Sequence, residues 1–197
     1  MKHAPTPARP ERSAKRRVEG VTEVEQLGER GFFVRDAFAP ADLIEAALKH
    51  AHTQPLTPAG IQRGAIKSPD VRTDLTAWLD DAPLTPAFEA LRQELNHTAY
   101  LGLTRFDLQL ARYEPGARYV RHRDAFPGSD NRRVTAIVYL NVAWRKEHGG
   151  LLRLHVEPPV DVEPVLNRLV VFLSDRVEHE VLPAHAPRLA LTAWFYA

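Results

Sequence analysis

The sequence predicts a mainly β domain with helices on its N-terminal side. From Phe106 onward the chain breaks into about eight short runs rich in Val, Leu, Ile and aromatic residues, separated by turns that Gly and Pro mark. Upstream, two segments instead repeat apolar residues at helical spacing. A length of 197 residues with 44% hydrophobic content suffices for one well-cored domain and is short for two. These patterns leave sandwich, barrel and jelly roll open.

Residues 1–20 carry Lys2, Arg9, Arg12, Lys15, Arg16 and Arg17 against Glu11 and Glu19, and are rich in proline. They read as a solvated, poorly ordered tail. No aromatic residue is interleaved with that charge, which argues against a nucleic-acid arm. Residues 21–197 form the expected single domain, with 21–105 as helical support and 106–197 as the β core. Val21 to Arg30 suits a short helix and Gly31 to Val34 a strand. Pro40 to His52 suits a helix, with Leu43, Ala46, Ala47 and His50 at helical spacing and Pro40 in its first turn. Gln54 to Asp70 is punctuated by prolines 55, 58 and 69 and carries Arg63 and Lys67. It is expected to be a mobile loop over the active-site mouth. Pro86 to Tyr100 reads as a second long helix with Phe88, Leu91 and Leu95 on one stripe. His50, His52 and His97 are helix-surface or core residues in this reading.

Within the β half, Phe106 to Tyr113 ends in the turn Glu114-Pro115-Gly116. Val134 to Asn141 places Thr135, Ile137 and Tyr139 on one face and Ala136, Val138 and Leu140 on the other. Two such faces suit a strand with a barrel interior on one side and helices on the other. Gly149-Gly150 opens the run Leu151 to Val156, and Val160 to Pro164 precedes Leu166 to Leu173. Glu178 to Leu182 and Arg188 to Tyr196 flank a turn bounded by Pro183 and Pro187. In the last strand Leu189, Leu191, Ala193 and Phe195 share a wholly apolar face. Arg188, Ala190, Thr192, Trp194 and Tyr196 share the other, a mixture that suits a pocket wall.

The chain has no run of about 18 apolar residues, so no membrane span is expected. Its N-terminus lacks the apolar core of a secretory signal. Cysteine is absent, which excludes disulfides, Fe–S clusters, Cys-ligated zinc and a thiol nucleophile. A cytoplasmic enzyme is the natural expectation.

His122 and Asp124 are two apart, so on a strand both project from one face. With His179 as a third ligand they make the two-His, one-carboxylate facial triad of non-haem Fe(II) oxygenases. Arg188 lies nine residues beyond His179, and the intervening turn lets both side chains enter one cavity. Such a buried guanidinium suits bidentate binding of a carboxylate. Tyr139 and Thr192 offer hydroxyls to complete that carboxylate's hydrogen bonds. His148, His155 and His185 are expected not to be ligands. Arg118, Arg121, Arg123, Arg132 and Arg133 surround the His-x-Asp segment as a basic mouth, either solvated or attractive to an acidic polypeptide. A zinc hydrolase built on the same three ligands would leave Arg188 without a partner, and a non-catalytic jelly-roll binding protein would need neither triad nor clamp.

The words YEPGARYVRHRD at Tyr113–Asp124, VTAIVYLN at Val134–Asn141, GGLLRLH at Gly149–His155, NRLVVFLSD at Asn167–Asp175 and HEVLPAHAPRLALTAWFY at His179–Tyr196 occur in order. In this combination the chain resembles the Fe(II)- and 2-oxoglutarate-dependent dioxygenases, within them the prolyl hydroxylase branch related to the oxygen-sensing Egl-9 enzymes and bacterial prolyl hydroxylases. Val71 to Leu79 is similar to the family's Arg-x-Asp-x-x-x-Trp element, with Arg72 and Asp74 as a structural ion pair. The resemblance implies a double-stranded β-helix, Fe(II) on His122, Asp124 and His179, and 2-oxoglutarate clamped by Arg188 with Tyr139 and Thr192. Tyr113 would touch cosubstrate or substrate, and Trp194 would wall the iron. It also implies O2 as co-reactant, ascorbate as a supporting reductant, and Gln54 to Asp70 as the substrate loop. The implied reaction converts 2-oxoglutarate to succinate and CO2 while hydroxylating a prolyl residue in a protein, a translation factor among the candidates. A free amino acid or other small molecule is the alternative substrate.

Overall fold

The computed structural model describes residues 21–60, 69–125 and 132–197. The basic tail 1–20 and residues 61–68 of the expected substrate loop, Arg63 and Lys67 included, lie outside the described residues, as do residues 126–131.

The helical support begins with α1 (Glu23–Arg30). Thr22 caps it: its hydroxyl accepts from the Glu25 amide at 3.2 Å, and the Glu25 carboxylate accepts from the Thr22 amide at 2.6 Å. Gly31 ends it at φ 82°, a left-handed conformation that glycine adopts without penalty. α2 (Ala41–Thr53) buries Ile44, Ala47 and Ala51. This corrects the expected stripe, of which only Ala47 is buried. Both sets satisfy the helical period; the face that packs into the core with Phe88 and Leu95 is the one carrying Ile44. α3 (Thr85–Ala99) buries Phe88, Leu91 and Leu95 as expected.

The strands are β1 (Phe32–Arg35), β2 (Thr57–Pro58), β3 (Leu75–Leu79), β4 (Arg105–Tyr113), β5 (Tyr119–His122), β6 (Arg132–Tyr139), β7 (Leu152–Leu154), β8 (Val160–Val162), β9 (Leu169–Leu173), β10 (His179–Val181) and β11 (Arg188–Tyr196). They form a seven-stranded sheet in the order β1-β9-β6-β11-β4-β3-β2 and a four-stranded sheet in the order β5-β10-β7-β8, all pairings antiparallel. This is the expected double-stranded β-helix: two sheets facing one another, with helices on the outer face of the larger.

The two faces of β11 divide as the alternation predicts. Leu191, Ala193 and Phe195 join Ile44, Phe88 and Leu95 in a core between sheet and helices. Ala190 joins Tyr139, Phe172, Leu152, Leu154 and Val181 in a second core between the two sheets. Burying a Leu or Phe side chain contributes about 1.5–3 kcal/mol, so both faces of the large sheet stabilise it. No helix among the described residues is long and apolar enough to cross a membrane.

Candidate metal centre and carboxylate site

The interior between the sheets holds the chemistry. On the small sheet β5 and β10 pair so that His122 lies opposite His179, with the two imidazole centroids 4.2 Å apart. The His122 Nδ1 lies 2.8 Å from the Val120 carbonyl and the His179 Nδ1 3.4 Å from the Val177 carbonyl. A carbonyl only accepts, so each Nδ1 carries the proton and each Nε2 keeps a free lone pair. Tyr119 stacks on His122 at 3.6 Å between centroids and is capped in turn by the Arg72 guanidinium. Arg72 pairs with buried Asp74 at 2.8 and 2.6 Å, the ion pair expected there.

Asp124 does not sit as strand parity placed it. β5 ends at His122, and Asp124 occupies a bend two residues on. Side chains from the large sheet hold it instead. The Thr135 hydroxyl donates to Oδ2 at 2.7 Å and the Trp194 indole N–H to the same oxygen at 3.0 Å. The Arg132 guanidinium donates to the Asp124 carbonyl at 3.3 Å and lies over the Trp194 ring at 4.7 Å. Asp124 Oδ1 is thereby brought to 3.6 Å from the His122 Nε2, and Oδ2 lies 3.8 Å from the His179 Nε2. One donor atom from each residue lies within 4.8 Å of the others, a distance one metal ion can bridge. Burial pushes the Asp124 carboxyl up, but His179, His122 and Thr135 outweigh it and hold the group well below the usual carboxylate range. Burial brings the His179 imidazole down to about 4 against the opposing pull of Asp124. Two imidazole nitrogens and a carboxylate oxygen fit Fe(II).

Arg188, at the start of β11, is 3% exposed and lies opposite Tyr113. Its Nε donates to the Gly150 carbonyl at 2.7 Å, and its guanidinium stands 4.9 Å from the Tyr113 ring and 5.0 Å from the Tyr139 ring. Gly150 makes room for it: a Cβ there would meet the Arg188 Cδ at 2.8 Å. Among the described residues no carboxylate pairs with Arg188. The Tyr139 hydroxyl is buried with no hydrogen-bond partner, and burial pushes its phenol up to about 12. An unpaired buried cation beside an unsatisfied hydroxyl is a site for a carboxylate. Thr192 is buried on the same face of β11, one alternation beyond Ala190.

Other arginines of the expected basic mouth are committed elsewhere. Arg121 and Arg123 both pair with Glu178, and Arg132 braces Asp124 and the Tyr196 hydroxyl. Arg118 and Arg133 are exposed. His155 pairs with Glu180 at 3.0 Å and His148 accepts from the Arg145 amide, so neither joins the metal cluster. The sequence reading gave Ser174 no role, and it placed Thr135 on a strand face, Arg132 in the basic mouth and Gly150 at a strand start without tying any of them to Asp124 or Arg188. The available signal was a hydroxyl at Thr135 on the same face of an apolar strand as Tyr139.

The family model described as the 2OG-Fe(II) oxygenase superfamily matches residues 108–196. Prolyl hydroxylase EGLN3 of Homo sapiens is 48% identical over 86 residues, which span 41% of this chain and only 36% of that relative. A Pseudomonas putida prolyl-4-hydroxylase structure is 38% identical with a TM-score of 0.78, covering 88% of this chain and 96% of that one. A Trichoplax adhaerens prolyl hydroxylase, solved with a hypoxia inducible factor peptide, superposes with a TM-score of 0.79 at 29% identity, covering 88% of this chain and 87% of that one. With a His122-Asp124-His179 cluster that fits Fe(II) between the sheets of the matching fold, the chain belongs to the 2OG-Fe(II) oxygenase superfamily.

Proposed function

We propose that the protein hydroxylates a prolyl residue in a polypeptide, using Fe(II), 2-oxoglutarate and O2 and releasing succinate and CO2. Residues 21–197 form the catalytic domain in this reading and residues 1–20 an appended basic tail. The observation that carries it is the pairing, in one interior, of a two-His, one-carboxylate cluster with a buried guanidinium that no described carboxylate neutralises. A zinc hydrolase would explain the first and leave Arg188 and the Tyr139 hydroxyl without a purpose. The prolyl substrate is supported by the similarity to the Pseudomonas putida and Trichoplax adhaerens enzymes.

In this reading His122, Asp124 and His179 would hold the iron. Bound Fe(II) supplies the activation of O2 that couples cosubstrate decarboxylation to substrate oxidation. Arg188 and Tyr139 bind the distal carboxylate of 2-oxoglutarate, and Thr192 extends that polar lining. Tyr113 closes the pocket over Arg188, shielding the ion pair from water. Trp194 holds Asp124 and forms the adjoining wall. The reducing cytoplasm, which keeps iron ferrous, is the compartment we assign.

The test is incubation with Fe(II), 2-oxoglutarate and O2 in the presence of proline-containing peptides or free proline. Succinate should form in step with the gain of one oxygen atom on a peptidyl proline. Oxidation of the free amino acid alone would establish the small-molecule alternative. Turnover that ignores 2-oxoglutarate would end the oxygenase reading.

A further inference from the structure

Two of the three metal-site residues are fixed by backbone pairing, and the third is not. His122 and His179 face each other across β5 and β10. Asp124 lies beyond the end of β5, in a bend. Its carboxylate orientation therefore depends on what the large sheet presents to it.

Both donors from that sheet converge on one oxygen. Thr135 Oγ1 at 2.7 Å and Trp194 Nε1 at 3.0 Å occupy Oδ2. A carboxylate oxygen offers about two lone-pair sites, so these bonds use Oδ2 and leave Oδ1 with its sites free. Thr135 and Trp194 are themselves directly opposite on paired β6 and β11, so the two donors form one rigid fork. The direction of the hydroxyl is set as well. A carboxylate only accepts, so the Thr135 proton points to Asp124. The fully buried Ser174 hydroxyl, 2.9 Å away, must then donate to Thr135. Ser174 also ties down the chain after the ligand, because its carbonyl accepts from the Ala125 amide at 3.2 Å.

We propose that Thr135 and Trp194 are positioning residues that hold Asp124 to metal coordination through Oδ1 alone, with Ser174 orienting the Thr135 hydroxyl. This rests on the reading of His122, Asp124 and His179 as the iron site. Occupying Oδ2 would keep the carboxylate from offering a bound metal its second oxygen. Without the fork the carboxylate can rotate, bind through both oxygens or swing away.

Cobalt(II) alone, titrated into the full chain, tests this without turnover. Thr135→Val, which removes the hydroxyl at nearly constant volume, should weaken Co(II) binding tenfold or more, the range seen when partners of metal ligands are lost. It should also shift the visible Co(II) absorption as the coordination number changes. Trp194→Phe should act in the same direction, and Thr135→Ser should restore both affinity and spectrum. Thermal unfolding of the metal-free variants separates misfolding from lost positioning, and Trp194→Phe carries the test should Thr135→Val not fold. Asp124→Ala separates the two levels of inference. If it leaves Co(II) binding intact, the metal-site reading fails and this proposal with it. If it abolishes binding while Thr135→Val and Trp194→Phe match the unsubstituted chain in affinity and spectrum, this proposal alone is overturned.

Discussion

The two sheets do different work. The seven-stranded sheet is covered on both faces: Leu191, Ala193 and Phe195 pack toward the helices, while Ala190, Tyr139 and Thr135 face the other sheet. The four-stranded sheet is covered on one. Leu152, Leu154 and Val181 point inward, and its outer face carries Arg153 paired with Asp161, His155 with Glu180 and Arg121 with Glu178. The thinner sheet supplies both histidines, and the thicker one supplies Arg188, Tyr139, Thr135 and Trp194. A histidine needs only the right backbone register and a carbonyl for its Nδ1. A buried guanidinium must be desolvated, and that is tolerable only where packing on both faces outweighs the cost.

If this division is right, substitutions on the two sheets should fail in different ways. The largest effect is expected at the junction between them. Asp124→Ala should abolish turnover and Fe(II) binding, because a methyl group cannot replace an anionic ligand; calorimetric titration and succinate release check this. Next comes the thick sheet's helix-facing core. Phe195 is fully buried and packs against Phe88 and Phe106, so Phe195→Ala should cost roughly 3–5 kcal/mol in chemical denaturation. Arg188→Ala should leave Fe(II) affinity largely intact while raising the 2-oxoglutarate requirement, at a cost on the order of 2–5 kcal/mol. Unchanged cosubstrate dependence in that variant would remove Arg188 from the clamp.

The smallest effect is expected on the outer face of the thin sheet. Arg153 and Asp161 are both more than a third exposed, so solvent screens them, and Arg153→Ala should cost about 0–1 kcal/mol. Its pH dependence has a definite sign. The hydrogen bond from Arg153 holds the Asp161 carboxyl below its ordinary 3.8. Its small contribution is therefore present above that value and lost as pH falls through the lowered one. Acid denaturation of Arg153→Ala should show a shallower dependence in that window than the unsubstituted chain.

Period-two alternation made β11 readable to the residue: its bounds, its apolar face and its pocket face all match the structure. It also singled out Tyr139, the hydroxyl that proves to be buried and unsatisfied. The same rule placed Asp124 for a reason that does not hold, because the strand stops short of it. The residue types were informative there, while the backbone geometry assumed for them was not.

Local chemistry therefore determined a good deal: where strands and helices run, which residues could ligate a metal, and that an arginine would end up facing a pocket. These depend on side-chain type and on periods of two and 3.6, which a sequence carries directly. Tertiary structure alone decided which stripe α2 buries, that Arg121 and Arg123 are paired with Glu178, and that Gly150 makes room for Arg188. It alone decided what holds Asp124, since Thr135 is 11 residues from it and Trp194 is 70. Hydrogen bonds over such separations follow from how strands cross and register, and no local period records that.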